Sequence, residues 1–571
     1  MTATSPASNA VVDAALADLA GGEARWAATP LRRRRELLDE VHALTAKHAH
    51  EWVEAAIAIK GLDPSSPLVG EEWMSGPYPV LTNTASLAES LRAIEAGKSP
   101  LHDATFHSAP GGRIAVQALP KSVFDMLLLN GFRADVWLQP GIDRETAKRT
   151  AGLGQLHPEQ THGIGAVLGA GNILSIAPLD VLYEIYAHNR VAALKLNPVT
   201  DQILPVLQKI FAPLIDLDVV RIFTGGADVG GYLVNHDLVK HVHITGSAAS
   251  HDAIVFGAGA AGKKRKAANK PALGKPISSE LGGVSPTIVF PGNWSSADLR
   301  FQAEHVATQR LHNGGYNCIA AQAILLSESW PQKDEFLAEL RSAFERAPSR
   351  PAYYPGSDER VQLALDTFPQ AERLGRNSER VLVTGLDPEQ DDPLLRTEYF
   401  APVLGVVELP GAGKEFMSQA VEFANDQCVG TLGVNLIAHP NTIKSLGPAF
   451  EEAIADLRYG TIAVNTWTGV GYLSSRATWG AFPGHTLNDV QSGIGVVHNG
   501  YLLEKPERTV VRGPFRPSPR ALWAGELTLS PKPPWFVTNR TAATTGERLT
   551  KFAGNPNWLL IPGLFASALR G

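Results

Sequence analysis

The chain has 571 residues, 44% of them apolar and 19% charged, a globular composition that excludes a disordered chain or a coiled coil. At roughly 150 residues per domain, this length predicts three to four domain-sized units. The formal charge is −6, from 51 Lys and Arg against 57 Asp and Glu, so no basic excess marks a nucleic-acid footprint and no such partner is expected.

The 53 glycines and 40 prolines exceed a background of about 12% and point to many turns. Two cysteines, Cys318 and Cys428, lie too far apart for a CxxC pair. They allow no disulfide framework, suit a reducing compartment, and leave no metal site to expect. Residues 1–20 carry Asp13 and Asp18 and lack a basic, then apolar, leader pattern, so a cytoplasmic protein is expected. The apolar run at 558–569 contains Pro562 and Gly563 and falls short of the roughly 20 residues of a transmembrane helix.

In chain order, residues 25–60 read as helix, with Leu37, Leu38, Val41 and Leu44 on one face and Pro30 suited to the first turn of a new helix. A second helical stretch covers 83–97. Segments 111–123 and 134–138 are strand-like. From 164 onward, short apolar runs (164–169, 192–196, 219–223, 239–245) alternate with helical windows (179–190, 204–214, 229–234), the signature of βαβ units and a buried parallel sheet. The alternation resumes at 286–290 and runs to 461–465, predicting a second α/β lobe. The basic cluster Lys263-Lys264-Arg265-Lys266 reads as a solvated loop. After about residue 513 the chain is rich in Pro and Trp, and we expect an extended tail docked on the body, since exposed tryptophans would be a liability.

Three sites carry chemistry. Cys318 ends the sequence His312-Asn313-Gly314-Gly315-Tyr316-Asn317-Cys318, where two glycines let the backbone approach a ligand and expose a thiol. Composition alone favours a buried cysteine over a nucleophile, and Cys428 keeps that reading. Glu280 precedes Leu281-Gly282-Gly283, a turn that allows a carboxylate to be held in a cleft, where desolvation raises its pKa towards general-base range. Thr245-Gly246-Ser247 closes a strand and opens a helix, which offers free backbone N–H groups to a phosphate.

Taken in order, TGS, ELGG and NxGxxC resemble the aldehyde dehydrogenase superfamily. Further matches are Asn172 after Gly171, Lys195 23 residues later, the 219–226 strand and glycine turn with Gly225, Glu398-Tyr399-Phe400-Ala401-Pro402-Val403, the 460–465 strand, and Ser492-Gly493-Ile494-Gly495. The resemblance covers roughly residues 20–512. It implies oxidation of an aldehyde to a carboxylic acid with NAD or NADP. Cys318 would be the nucleophile, Asn172 and the Cys318 N–H the oxyanion donors, and Glu280 the base that activates the hydrolytic water. Lys195, Gly225, Gly246, Ser247, Leu281, Glu398 and Phe400 would form the cofactor site. A CoA-acylating enzyme and a catalytically silent scaffold are the alternatives; Glu280 argues against the first, and the intact Cys318, Glu280 and Asn172 against the second.

The expected fold is α/β, with two parallel-sheet lobes: a Rossmann-like cofactor lobe (1–138 and 163–283) and a catalytic lobe (284–495). An oligomerisation hairpin and strand (139–162 and 496–514) would make a homodimer or homotetramer, and 515–571 is a C-terminal extension. Departures from the family pattern stand at Pro198, where its adenosine-ribose carboxylate is absent, and at His251 and Tyr316.

Overall fold

The apolar run Ile164–Leu168 sits at the centre of a six-stranded sheet in the computed structural model, which describes residues 8–571. Residues 1–7 of the stretch read for a leader lie outside the described residues. The sheet order is Gly493–Ile494, Ile277–Leu281, Val239–Gly246, Ile164–Leu168, Val191–Lys195, Val220–Phe223, parallel except for the first short strand. Ile164–Leu168 and, up to its final lysine, Val191–Lys195 are apolar along their length and buried almost throughout, as befits strands covered on both faces. One of these, Ile176–His188, is buried on almost every side, and Asn189 ends it in the left-handed conformation (φ 52°).

The second sheet has eleven strands. Its parallel core runs Pro506–Arg512, Thr461–Val464, Gly433–Ile437, Thr287–Val289, Ala323–Ser327, Val403–Leu409, Arg380–Leu386, and Glu372–Leu374 closes one edge antiparallel. At the other edge Pro506–Arg512 pairs antiparallel with Arg133–Leu138, which continues into Arg113–Leu119 and Phe106–Ala109. The two α/β lobes are therefore present, but the boundaries shift. Residues 106–138, expected in the cofactor lobe, contribute their strands to the eleven-stranded sheet. Segment 139–162, expected as a hairpin, contains no strand; Asp143 caps a helix there, Arg144–Thr150, and a single 3-10 turn follows at Leu153–Leu156.

The late strand is held on both sides within one chain. Thr509 lies opposite Thr461 and Val511 opposite both Ala463 and Ala134. The N-terminal helices are Asn9–Ala28, Leu31–Lys47 and Ala49–Lys60, so the single helical window at 25–60 resolves into parts of three, with Pro30 as the cap between the first two. The basic cluster is helical, on Gly259–Ala267, with Lys266 paired to Asp252.

The C-terminal extension is not extended. It holds the helices Arg520–Trp523, Ala542–Gly554 and Ile561–Ala568. Its first part runs along the helix Ser296–Leu311: Arg516 pairs with Asp298 at 2.9 Å, Lys532 with Glu304 at 3.0 Å, and Gln302 donates to the Phe515 carbonyl at 2.7 Å. Ala542–Gly554 crosses Val69–Ser75 closely, and a Cβ on Gly70 would lie 2.4 Å from Ala542. Trp535 is buried as expected, whereas Trp523 and Trp558 are largely exposed. Among the described residues no helix is long and apolar enough to cross a membrane.

Val511 is fully buried in the strand that joins the two halves of the large sheet. The substitution Val511→Asp places an unpaired carboxylate there and is expected to cost at least about 4 kcal/mol. Soluble protein with the parental melting temperature would show that this strand does not occupy the sheet centre.

Candidate functional site

A cleft of about 610 Å³ opens at the carboxyl ends of the strands Ile164–Leu168, Val191–Lys195 and Val239–Gly246, the usual ligand position in an open α/β sheet. Asn172, Lys195, Gly246, Ser247, Glu280, Cys318, Glu398 and Phe400 all line it. Gly225 and Leu281 do not. Gly225 (φ 141°) shapes the turn, its neighbour Gly226 faces the cleft, and Leu281 turns its side chain into the core.

The loop before Cys318 is the most unusual backbone in the chain. Asn313 (φ 53°), Gly314 (φ 71°) and Gly315 (φ 83°) are left-handed in succession, a path two glycines make tolerable. Asn313 holds the rest. Its amide nitrogen donates to the carbonyls of Asn172 (3.1 Å) and Tyr316 (3.0 Å), and its oxygen accepts from Lys60 Nζ (3.0 Å) and Tyr353 Oη (3.1 Å). Its backbone N–H donates to Glu71 at 3.0 Å. Behind it lies a buried ionic group: Lys60 against Glu72 at 2.8 Å and Arg350 against Glu71 at 2.5 Å.

Asn172 donates from Nδ2 to the Tyr316 carbonyl at 2.9 Å, which fixes the amide and leaves its second N–H for another acceptor. The Cys318 backbone N–H lies beside its own sulfur. Cys318 is partly accessible although protein surrounds the thiol. Burial, and next the charge of the adjoining Glu280, push the thiol well above its ordinary pKa.

Glu280 ends the strand Ile277–Leu281 and is only 2% exposed. Burial, assisted by the negative charge of Asp180, raises its carboxyl to about 7, and the Cys318 thiol and Trp479 indole oppose that shift. Asp180 is held in place by Thr245, whose hydroxyl donates to it at 2.9 Å, and by His243 at 3.4 Å. Glu398 rises to about 8 through burial, in spite of the nearby Arg310. Its Oε1 has no hydrogen-bond partner among the described residues. It rests on Gly282, where a Cβ would lie 1.8 Å from that oxygen.

At the other end of the cleft, Ser247 caps the helix Ala248–Phe256, accepting from Ser250 N at 3.2 Å, so the helix N-terminus faces the cleft. Burial lowers the Lys195 pKa, opposed by Asp201 and Asp228. Asp201 is thus a carboxylate near Lys195 in a chain whose motif lacks the usual one. His251 turns away from the cleft and is fully buried. Tyr316 is buried too: it donates to Ser357 Oγ at 2.7 Å and stacks on Tyr354 at 5.6 Å. Tyr354 and Arg360 line the cleft beside Phe400; no motif pointed to either. Among the described residues no His, Cys, Asp and Glu group could hold a metal ion.

Because removal of one member of a buried ion pair leaves the other unpaired, Lys60→Met is expected to lower stability by about 3–5 kcal/mol, measured by denaturant unfolding. A loss under about 1 kcal/mol would mean that the Lys60–Glu72 pair is not buried as described.

The aldehyde dehydrogenase family model matches residues 184–362. The D-glyceraldehyde dehydrogenase (NADP(+)) of Picrophilus torridus is 25% identical over 273 residues, 43% of this chain and 49% of that protein. The probable coniferyl aldehyde dehydrogenase of Caulobacter vibrioides is 27% identical over 293 residues, 47% of this chain and 54% of that protein. The chain thus spans about half the length of these relatives. Among solved structures, the Mycobacterium tuberculosis aldehyde dehydrogenase complexed with NAD+ matches 89% of this chain and 91% of its own (TM-score 0.61, 17% identity). Aldehyde dehydrogenase C of Pseudomonas syringae, with NAD+ and octanal, matches 90% of each chain (TM-score 0.60, 17% identity). These two share the fold, and residues 184–362 match the aldehyde dehydrogenase family.

Proposed function

We propose that this protein oxidises an aldehyde to a carboxylic acid with NAD or NADP, through a covalent intermediate on Cys318. The observation that carries this reading is the meeting of Cys318, Glu280 and Asn172 at one end of a cleft whose other end has a helix N-terminus and Lys195. The cleft suits a dinucleotide. Ser247 and the start of Ala248–Phe256 would take the pyrophosphate, Lys195 the adenosine ribose, and Glu398, with its unpartnered oxygen over Gly282, the nicotinamide ribose. Relatives are named for NADP(+) and for NADP or NAD, and both cofactors belong to the reading.

The sulfur of Cys318 attacks the aldehyde carbon as its proton passes to the adjoining Glu280 carboxylate. The oxyanion is held by the free N–H of Asn172 and the backbone N–H of Cys318, donors of a type worth about 2.7–4 kcal/mol each in the transition state. A nicotinamide held there by Glu398 would supply the hydride acceptor for oxidation of the Cys318-bound adduct to a thioester. With that first proton passed on to solvent, Glu280 takes a proton from water as its oxygen attacks the thioester, and returns it to the departing Cys318 thiolate.

A homodimer or homotetramer belongs to this reading. The strand Pro506–Arg512 is already paired on both sides within the chain, so such an assembly would use surfaces other than its edges. The two free cysteines suit a reducing, cytoplasmic setting.

An aldehyde panel run with each cofactor, read at the reduced-nicotinamide absorbance, tests the proposal. Cys318→Ala should abolish turnover, and retained activity would refute the assignment. Glu280 acts when deprotonated and its carboxyl lies at about 7, so turnover should fall as pH drops through about 7 and level off above it. Glu280→Gln should lower turnover about 10²–10⁴-fold and remove that limb; an unchanged pH profile would assign the base elsewhere.

A further inference from the structure

Cys318 lines two cavities. On one side lies the nucleotide cleft, and on the other a small apolar chamber walled by Ile173, Trp467, Tyr472 and Trp479. Met74, Leu473 and Trp535 form the far side of that chamber and also wall a second, outer cavity of about 360 Å³, within the ~300–1,000 Å³ of ordinary ligand sites. The reaction derived above makes no use of this outer cavity.

The C-terminal extension builds more than a third of it. Leu549, Phe552 and Leu564 line it together with Tyr78, Phe124 and Leu128, and the Phe552 ring meets that of Phe124 edge-on at 5.0 Å. Trp535 is set firmly at the common wall, its ring edge-on to Phe132 at 5.7 Å, with the next residue, Phe536, stacked on Phe301 at 5.1 Å. The Trp535 Nε1–H is buried without a partner among the described residues.

The charged groups of the outer cavity are already engaged. Arg476 pairs with Glu89 at 2.5 Å, and Asp125 accepts the Lys121 and Ser122 N–H groups at the start of its own helix, each at 2.9 Å. Neither is left to anchor a charged substrate, and the remaining wall is mainly apolar. At the rim, Trp558 packs on Phe124 (4.8 Å) while 60% exposed, near the exposed Val123, Met126 and Leu559.

Resting on the aldehyde-oxidising reading, we propose that the extension completes a substrate channel and that the enzyme takes long, unbranched aliphatic aldehydes. The carbonyl lies at Cys318, and the hydrocarbon chain passes Trp535 into the outer cavity. A small hydroxylated or charged aldehyde would leave this space unfilled and its own polar groups unpaired.

The test uses the full-length protein and straight-chain aldehydes from propanal to dodecanal. Burial of each methylene should raise kcat/KM about fourfold until the channel is full. Ala553 lines the outer cavity, so Ala553→Phe should lower the dodecanal-to-propanal ratio of kcat/KM at least tenfold, and Leu549→Asp should do the same. A flat dependence on chain length, a ratio unmoved by both variants, or a preference for a rigid aromatic aldehyde over decanal would overturn the proposal while leaving aldehyde oxidation intact. If no aldehyde is oxidised, the function fails, and calorimetric binding of dodecanoic acid decides the channel alone: binding weakened at least tenfold by Ala553→Phe supports it, and no binding refutes it.

Discussion

Four charged side chains buried behind the Cys318 loop, Lys60, Glu71, Glu72 and Arg350, determine how the site can be built. None of them reaches the cleft. They converge on Asn313, through the Lys60 ammonium on its side-chain oxygen and the Glu71 carboxylate on its backbone N–H. Asn313 in turn ties Asn172 to Tyr316. A left-handed turn of three residues is costly in isolation and persists only where its surroundings over-determine it. Charges in a low-dielectric interior do this well, because no other arrangement leaves them paired. Asn172 and the loop that ends at Cys318 therefore share one anchor, and neither can move without disturbing a buried ion pair.

The electrostatics of the cleft follow from where charge is withheld. Glu280 and Glu398 both rise towards neutrality because burial outweighs their few partners. They do so beside a thiol that is itself pushed up. Three acidic groups packed together cannot all ionise, so the site holds protons ready to move at neutral pH. The positive end is separate, at Lys195 and the start of Ala248–Phe256.

That Cys318, Glu280 and Asn172 meet in one cleft was legible in the order of their motifs: Cys318 after two glycines, Glu280 before two more, Asn172 after a strand. What supports them was not. Lys60 and Asn313 are 253 positions apart, and no local pattern links a lysine at a helix end to a turn so distant. Tyr354 and Arg360 lie outside any motif. The reading of 139–162 as a hairpin failed differently, since it rested on the family resemblance and on the strand-like segments to either side. Asp143, with Glu145 in the first turn, carries a helix-start signal that outweighs it. In the extension the prolines concealed three helices, one of which opens with Pro at its second position, where proline favours helix over coil.

The strand Pro506–Arg512 has a consequence for synthesis. Until it leaves the ribosome, Thr461–Val464 presents an open, apolar edge, and Arg133–Leu138 waits with another. At about 5–20 residues per second, the earlier edge stands unpaired for tens of seconds. Unpaired edges recruit other strands. Nascent chains of this protein therefore carry one adhesive border, Arg133–Leu138, for most of their elongation and a second, Thr461–Val464, only briefly, until residues 506–512 cover both.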